Sequence, residues 1–250
     1  MSKLQDLLAQ LKGYEWVNLT HDITKEMPLY QAFEPLVPNI ITTLEETGSD
    51  NRTYTLATSH GTHTDAPAHF MPGGRTFDEI DLKERVLPLC VVHIEEKVAE
   101  DNGYAATIDD LLAWEEENGQ FPEGSFVALS TGWYHKAVDQ ETFENRNAEG
   151  VEVTPGWSIP ALEFLSRERG VTAIGHETLN TDSGVEAAAS DAELPLPAQR
   201  FWLNENKYQV EMLKNLDQVP ATGSVIFVTL PHVKGAPAFP SEVWAVVPKQ

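Results

Sequence analysis

Cysteine is almost missing from this chain: its 250 residues hold one, Cys90. A lone thiol makes no internal disulfide and no cysteine-ligated zinc site. Cys90 lies in the apolar run Val86-Leu87-Pro88-Leu89-Cys90-Val91-Val92, where a buried, inert thiol is expected rather than a nucleophile. Long hydrophobic stretches are missing as well. No apolar run approaches the roughly 18 residues of a membrane-spanning helix, and the N-terminus carries no apolar signal core, so a cytoplasmic location is expected. Cations are scarce: 17 Lys and Arg face 39 Asp and Glu, a net charge of −22. That field repels phosphate backbones and anionic lipid, which makes nucleic acid and membranes poor partner candidates. There is no Gly-x-Ser-x-Gly elbow for a serine nucleophile and no glycine-rich phosphate loop. No internal repeat, low-complexity tract or linker divides the sequence, and its length suffices for a sizeable core. One domain spanning residues 1–250 is expected.

What the chain does have is histidine in one place. Ser59-His60-Gly61-Thr62-His63-Thr64-Asp65-Ala66-Pro67-Ala68-His69-Phe70 holds three histidines and a carboxylate. Pro67 argues against a continuous helix here. In an extended segment side chains alternate between two faces. Ser59, Gly61, His63, Asp65, Pro67 and His69 then share one face, and His60 points the other way unless Gly61 allows a bulge. His63 and Asp65 can converge on one cation. His69, two extended positions beyond Asp65 and roughly 7 Å along a strand, would stand beside that cation rather than on it. The plainer alternative is a polar strand end whose histidines are satisfied by hydrogen bonds.

The stretch resembles the signature of the cyclase family of metal-dependent hydrolases, which includes bacterial kynurenine formamidase and isatin hydrolase. The family pattern, His-x-Gly-Thr-His-x-Asp-x-Pro-x-His, is met at Gly61, Thr62, His63, Asp65, Pro67 and His69, and departs at its first histidine, where Ser59 stands. Thr131-Gly132-Trp133 after a strand is a further match. The resemblance runs from about Tyr14 to the C-terminus. It implies an α/β fold, a single domain of swivelling β/β/α type with mixed strands, assembled as a homodimer or homotetramer. In the kynurenine formamidases a His and a Glu twelve apart complete the metal site; here that pair is Gln199 and Glu211. With two histidines replaced, one Mn2+ or Zn2+ held by His63, Asp65 and Gln199 is implied, as in the single-manganese arrangement of isatin hydrolase. Glu211 is then a further ligand or a neighbour of one. His60 remains an alternative ligand. Tyr30 matches the aromatic residue carried over the substrate. The implied chemistry is metal-activated water cleaving an amide, formamide or lactam C–N bond of a small aromatic substrate, with His69 as the acid–base group. A kynurenine formamidase with altered ligands, and a non-catalytic binding protein that kept the fold, are the rival readings.

Elsewhere the pattern sets out the scaffold. Leu4, Leu7, Leu8 and Leu11 have helical spacing before Gly13, a helix expected to dock on the domain or on a partner subunit. Strands are expected at 16–23, 40–44, 53–58, 86–94, 125–130, 171–175, 224–230 and 242–247. Thr107-Ile108-Asp109-Asp110 resembles a capping box opening a helix that ends near Gly119. A second helix is expected from Pro155 to Gly170. The acidic stretch 183–197 reads as a loop suited to a mobile lid.

Overall fold

The computed structural model describes residues 2–191, 193 and 195–249. Its strands are β1 (Glu15–Asn18), β2 (Val37–Thr42), β3 (Asn51–Thr55), β4 (His63–Asp65), β5 (Val86–His93), β6 (Ala105–Ala106), β7 (Phe126–Ser130), β8 (Gly156–Trp157), β9 (Ala173–His176), β10 (Tyr208–Glu211), β11 (Ser224–Thr229), β12 (Ala238–Pro240) and β13 (Glu242–Val247). The α-helices are α1 (Lys3–Leu11), α2 (Leu44–Thr47), α3 (Glu95–Glu100), α4 (Ile108–Asn118), α5 (Gln140–Glu144), α6 (Ile159–Glu163), α7 (Gly184–Ala189) and α8 (Pro197–Asn204). The fold is α/β with mixed strands.

Nine strands form one sheet in the order β1-β13-β11-β5-β7-β9-β10-β4-β12. Its centre, β5-β7-β9-β10, is parallel; both flanks are antiparallel. The parallel strands read as unbroken apolar runs because both of their faces are covered, and every residue of β7 and β9 is buried. Leu87, Leu89 and Val91 face one core cluster, which includes Phe126 and Tyr208. Cys90 and Val92 face the other, under α4, α6 and α8. Each large apolar side chain so buried contributes roughly 1.5–3 kcal/mol. Gly175 is required in the middle of β9: a Cβ there would lie 2.6 Å from Leu213 and 2.8 Å from Phe126.

The caps follow the sequence. Thr107 accepts from the Asp110 N–H while Asp110 accepts from the Thr107 N–H, and the helix stops at Gly119. Ser158 caps α6, so the expected helix begins only after β8. Burial pushes the Cys90 thiol up to about 12, which fits an inert residue.

Several expectations need correction. The motif is extended only over His63–Asp65; residues Pro67–His69 form a 3-10 turn. Pro67 starts that turn, since its missing N–H costs nothing at a first helical position. The strand expected at 16–23 ends at Asn18. The strands expected at 40–44 and 53–58 do not join the main sheet. β2 and β3 pair with each other in an exposed two-stranded ribbon, and Leu44 opens α2 behind the Thr43 cap. The stretch 183–197 is not all loop, because Ser183 caps α7; within it, residues 192 and 194 lie outside the described residues.

Candidate metal centre

Register brings the site together. In the antiparallel pair of β10 with β4, Glu211 sits opposite His63 and Gln209 opposite Asp65. Directly opposed residues share a face of a sheet, so all four side chains project to the same side. Their ligand atoms converge: His63 Nε2 lies 3.2 Å from Glu211 Oε2 and 3.5 Å from Asp65 Oδ1. Among the described residues these three form the one buried cluster of metal-binding character.

The surrounding hydrogen bonds fix the donors. His63 Nδ1 pairs with the Gly61 carbonyl at 2.8 Å. That bond makes Nδ1 the protonated nitrogen of the neutral ring, so Nε2 is the nitrogen that would meet a cation. Gln209 donates from Nε2 to Glu211 Oε1 at 2.8 Å and to Asp65 Oδ2 at 3.2 Å, and its own oxygen accepts from Thr181 at 2.8 Å. Gln199 also donates to Asp65 Oδ2, at 2.9 Å. Helix α8, which carries Gln199, is held at its start by Asp182, whose two oxygens accept from the Ala198 and Gln199 N–H groups. Trp202 of the same helix donates to the Tyr208 carbonyl of β10 at 2.8 Å, tying the Gln199 element to the Glu211 element.

What remains unmatched is informative. His63 Nε2, Asp65 Oδ1 and Gln199 Oε1 are buried without a hydrogen-bond partner, and such groups are costly unless something binds them. Two carboxylates lie buried together, and their ion pairs are to His63 and His176. Burial and repulsion by Glu211 raise the Asp65 carboxyl above its ordinary range. Burial opposes a charge on His63, yet Asp65 and Glu211 outweigh it and lift the imidazole to about 9. Glu211 stays anionic, at about 2: burial works against this, and the neighbouring His176 and His63 imidazoles overcome it. A divalent cation among these donors would relieve both the repulsion and the missing bonds. Imidazole, carboxylate and amide oxygen suit Mn2+ or Zn2+, so the residues present fit the ion.

Beside this cluster lies a cavity of about 240 Å3, lined by Tyr30, Phe33, Ser59, His69, Phe70, Leu179, Asn180, Pro195 and Leu196 together with His63, Gln199 and Glu211. Every site residue expected from sequence is therefore at one place. Tyr30 packs edge-on against Phe33 at 5.4 Å, and His69 against Phe70 at 4.8 Å. His69 reaches the cavity by the 3-10 turn and not by strand alternation, so the distance expected along an extended chain does not apply. His60 is buried but stands outside the converging group. Glu211, in a stretch that resembles a solvent-facing one, is buried on β10.

Sequence reasoning missed three residues. Gln209 alternates with Glu211 between the apolar Tyr208 and Val210, a strand signal that was available. His176 ends the buried strand β9, 3.6 Å from Glu211 Oε1. Asp182 carries no local signal, because its role depends on where α8 begins.

The Cyclase family model matches residues 17–183. Isatin hydrolase of Roseibium aggregatum is 30% identical over 199 residues, 78% of this chain and 73% of that protein. Kynurenine formamidase of Bacillus cereus is 25% identical over 224 residues, covering 88% of this chain and 91% of its own. A crystal structure of an isatin hydrolase bound to the product analogue thioisatinate superposes with a TM-score of 0.90 at 26% identity, with both chains covered in full (100%).

Proposed function

Because the chain belongs to the cyclase family of metal-dependent hydrolases, which act on carbon–nitrogen bonds other than peptide bonds, we propose that it opens an aromatic cyclic amide of the isatin type. One divalent ion, Mn2+ or Zn2+, would be held by His63, Asp65, Gln199 and Glu211. The reading is carried by the convergence of His63, Asp65 and Glu211, buried, against an aromatic-lined cavity. When bound, the ion supplies Lewis acidity, acidifying water and polarising the substrate carbonyl. His69 takes the proton from the attacking water and returns it to the nitrogen as the C–N bond breaks, giving a carboxylic acid and an amine. Tyr30, Phe33 and Phe70 hold the flat ring, and Gln209 keeps both carboxylates in place. Ser59 and Gln199 stand where a two-metal site would need histidines, which supports a single ion.

The chain is read as one domain over residues 1–250, since both core clusters lie on the two faces of one sheet. A homodimer or homotetramer is supported by the bare ribbon β2–β3, where Ile40 and Ile41 are each 58% exposed; an isolated two-stranded ribbon is marginal in water. A cytoplasmic location goes with the single unpaired cysteine; among the described residues no helix is long and apolar enough to cross a membrane.

Elemental analysis of purified protein, with His63→Ala as control, tests the centre. One ion per chain in the parent and none in the variant is expected; equal metal in both overturns it. Hydrolysis of isatin and of an N-formyl aniline, followed by absorbance, then separates the lactam reading from a formamidase.

A further inference from the structure

The nine-stranded sheet is covered unevenly. Helices α4, α6 and α8 pack over one of its faces from Cys90 of β5 onward. On the same face that cluster does not reach β1, β13, β11 and the start of β5: Val246 is buried and Val225, Phe227 and Trp244 are half-buried, while Trp16, Asn18, Val86 and Pro88 stand exposed. The register fixes which side chains stand there: Asn18, Trp244, Phe227 and Val86 lie in one row across these strands, and Trp16, Val246, Val225 and Pro88 in the next. The rings of Trp16, Phe227 and Trp244 stack on one another, with centroids 5.4 to 6.5 Å apart. Trp16 and Val86 are each 46% exposed, and nearby Leu82 is 74% exposed.

A second exposed surface begins just before β1. Helix α1 exposes Leu4 by 77%, Leu7 by 52% and Leu8 by 49%, and none of its residues is buried. A helix shorter than about 12 residues is marginal in water without packing, and α1 has nine. Its Ser2 capping box is complete, so the sequence is committed to a helix that its own chain leaves uncovered.

We infer that these two surfaces form one interface: the leucine stripe of α1 in one copy lies across the Trp16–Phe227–Trp244 face of a second copy, and the second copy's α1 returns the contact about a two-fold axis. Self-complementary pairing of this kind closes a dimer. The exposed large side chains of the two surfaces offer on the order of 600–800 Å2 of apolar area per copy. That is of the order of the roughly 800 Å2 per partner of a standard interface. Charge fits as well. Two copies at −22 repel each other, but α1 and its cap carry Lys3 and Lys12 against Asp6 alone, and Glu242 stands exposed on the sheet face, in the Phe227 and Trp244 alternation. This arrangement rests on the homo-oligomer proposed above and not on the metal chemistry.

The full chain is measured by size exclusion with light scattering across a dilution series. The parent is expected as a dimer or a multiple of one. Leu7→Glu with Leu8→Glu, and separately Trp16→Glu, should each weaken dimerisation about 100-fold or more, as buried anchor positions do, while circular dichroism of the globular core is unchanged. A mixture of two chains, one bearing Leu7→Cys and the other Phe227→Cys, should form a disulfide between copies, because Cys90 is buried and does not compete. A monomeric parent overturns both the homo-oligomer and the interface. A dimer that survives both sets of substitutions, and gives no cross-link, overturns the interface alone.

Discussion

Glu177 offers a test that does not depend on substrate. It follows β9 directly and is fully buried. One carboxylate oxygen accepts from the Thr131 N–H at 3.0 Å, the Thr131 hydroxyl at 2.6 Å and the Trp133 N–H at 2.9 Å; the other has no partner. Burial pushes the carboxyl up from 4.5 to about 7 in spite of those three donors. A raised value favours the protonated form in the folded state, so its contribution is complete below pH 4.5 and is lost as pH rises through 7. At about 1.4 kcal/mol per pH unit, the loss across that window is about 3 kcal/mol. Glu177→Gln keeps an oxygen for Thr131 and Trp133 and never ionises. Urea unfolding of chelator-treated parent and variant at pH 4.5, 6 and 8 should show the variant gaining about 3 kcal/mol on the parent between the lowest and highest pH. Groups common to both proteins cancel in this difference. If the two pH profiles run parallel, the carboxyl is not held neutral by its surroundings and the reasoning fails.

Two other outcomes follow from the site and the core. His69→Ala should keep its metal and its fold and lose about 100-fold to 10,000-fold in hydrolysis; a metal-loaded variant nearly as active as the parent shows that His69 only orders the following turn. Gly156→Ala places a Cβ 2.3 Å from the Ser183 backbone nitrogen, so thermal unfolding should report a loss of at least about 1–3 kcal/mol, and an unchanged midpoint refutes the packing there.

The candidate ligand pair was legible where the sequence places it locally. His63 and Asp65 are two residues apart, and that spacing alone aims both at one side of any strand. The Thr107 cap, the Gly119 stop and the apolar run of β5 are likewise written in neighbouring residues, because capping and alternation act within a few positions. Gln199 and Glu211 were named through a family pattern; nothing in their own surroundings marks a buried pair. Tertiary structure decided the rest. Glu211 meets His63 only because β10 runs antiparallel to β4 in a register that no local signal sets. The aim of Gln199 depends on Asp182 capping α8 from another part of the chain. Alternation along an extended chain placed His69 beside the cation, whereas Pro67 turns the chain and a 3-10 turn brings His69 to the cavity wall. Whether Leu4, Leu7 and Leu8 meet their own sheet or another copy's is likewise not a local matter. Spacing fixes which side chains share a face, and only the packed chain fixes what that face meets.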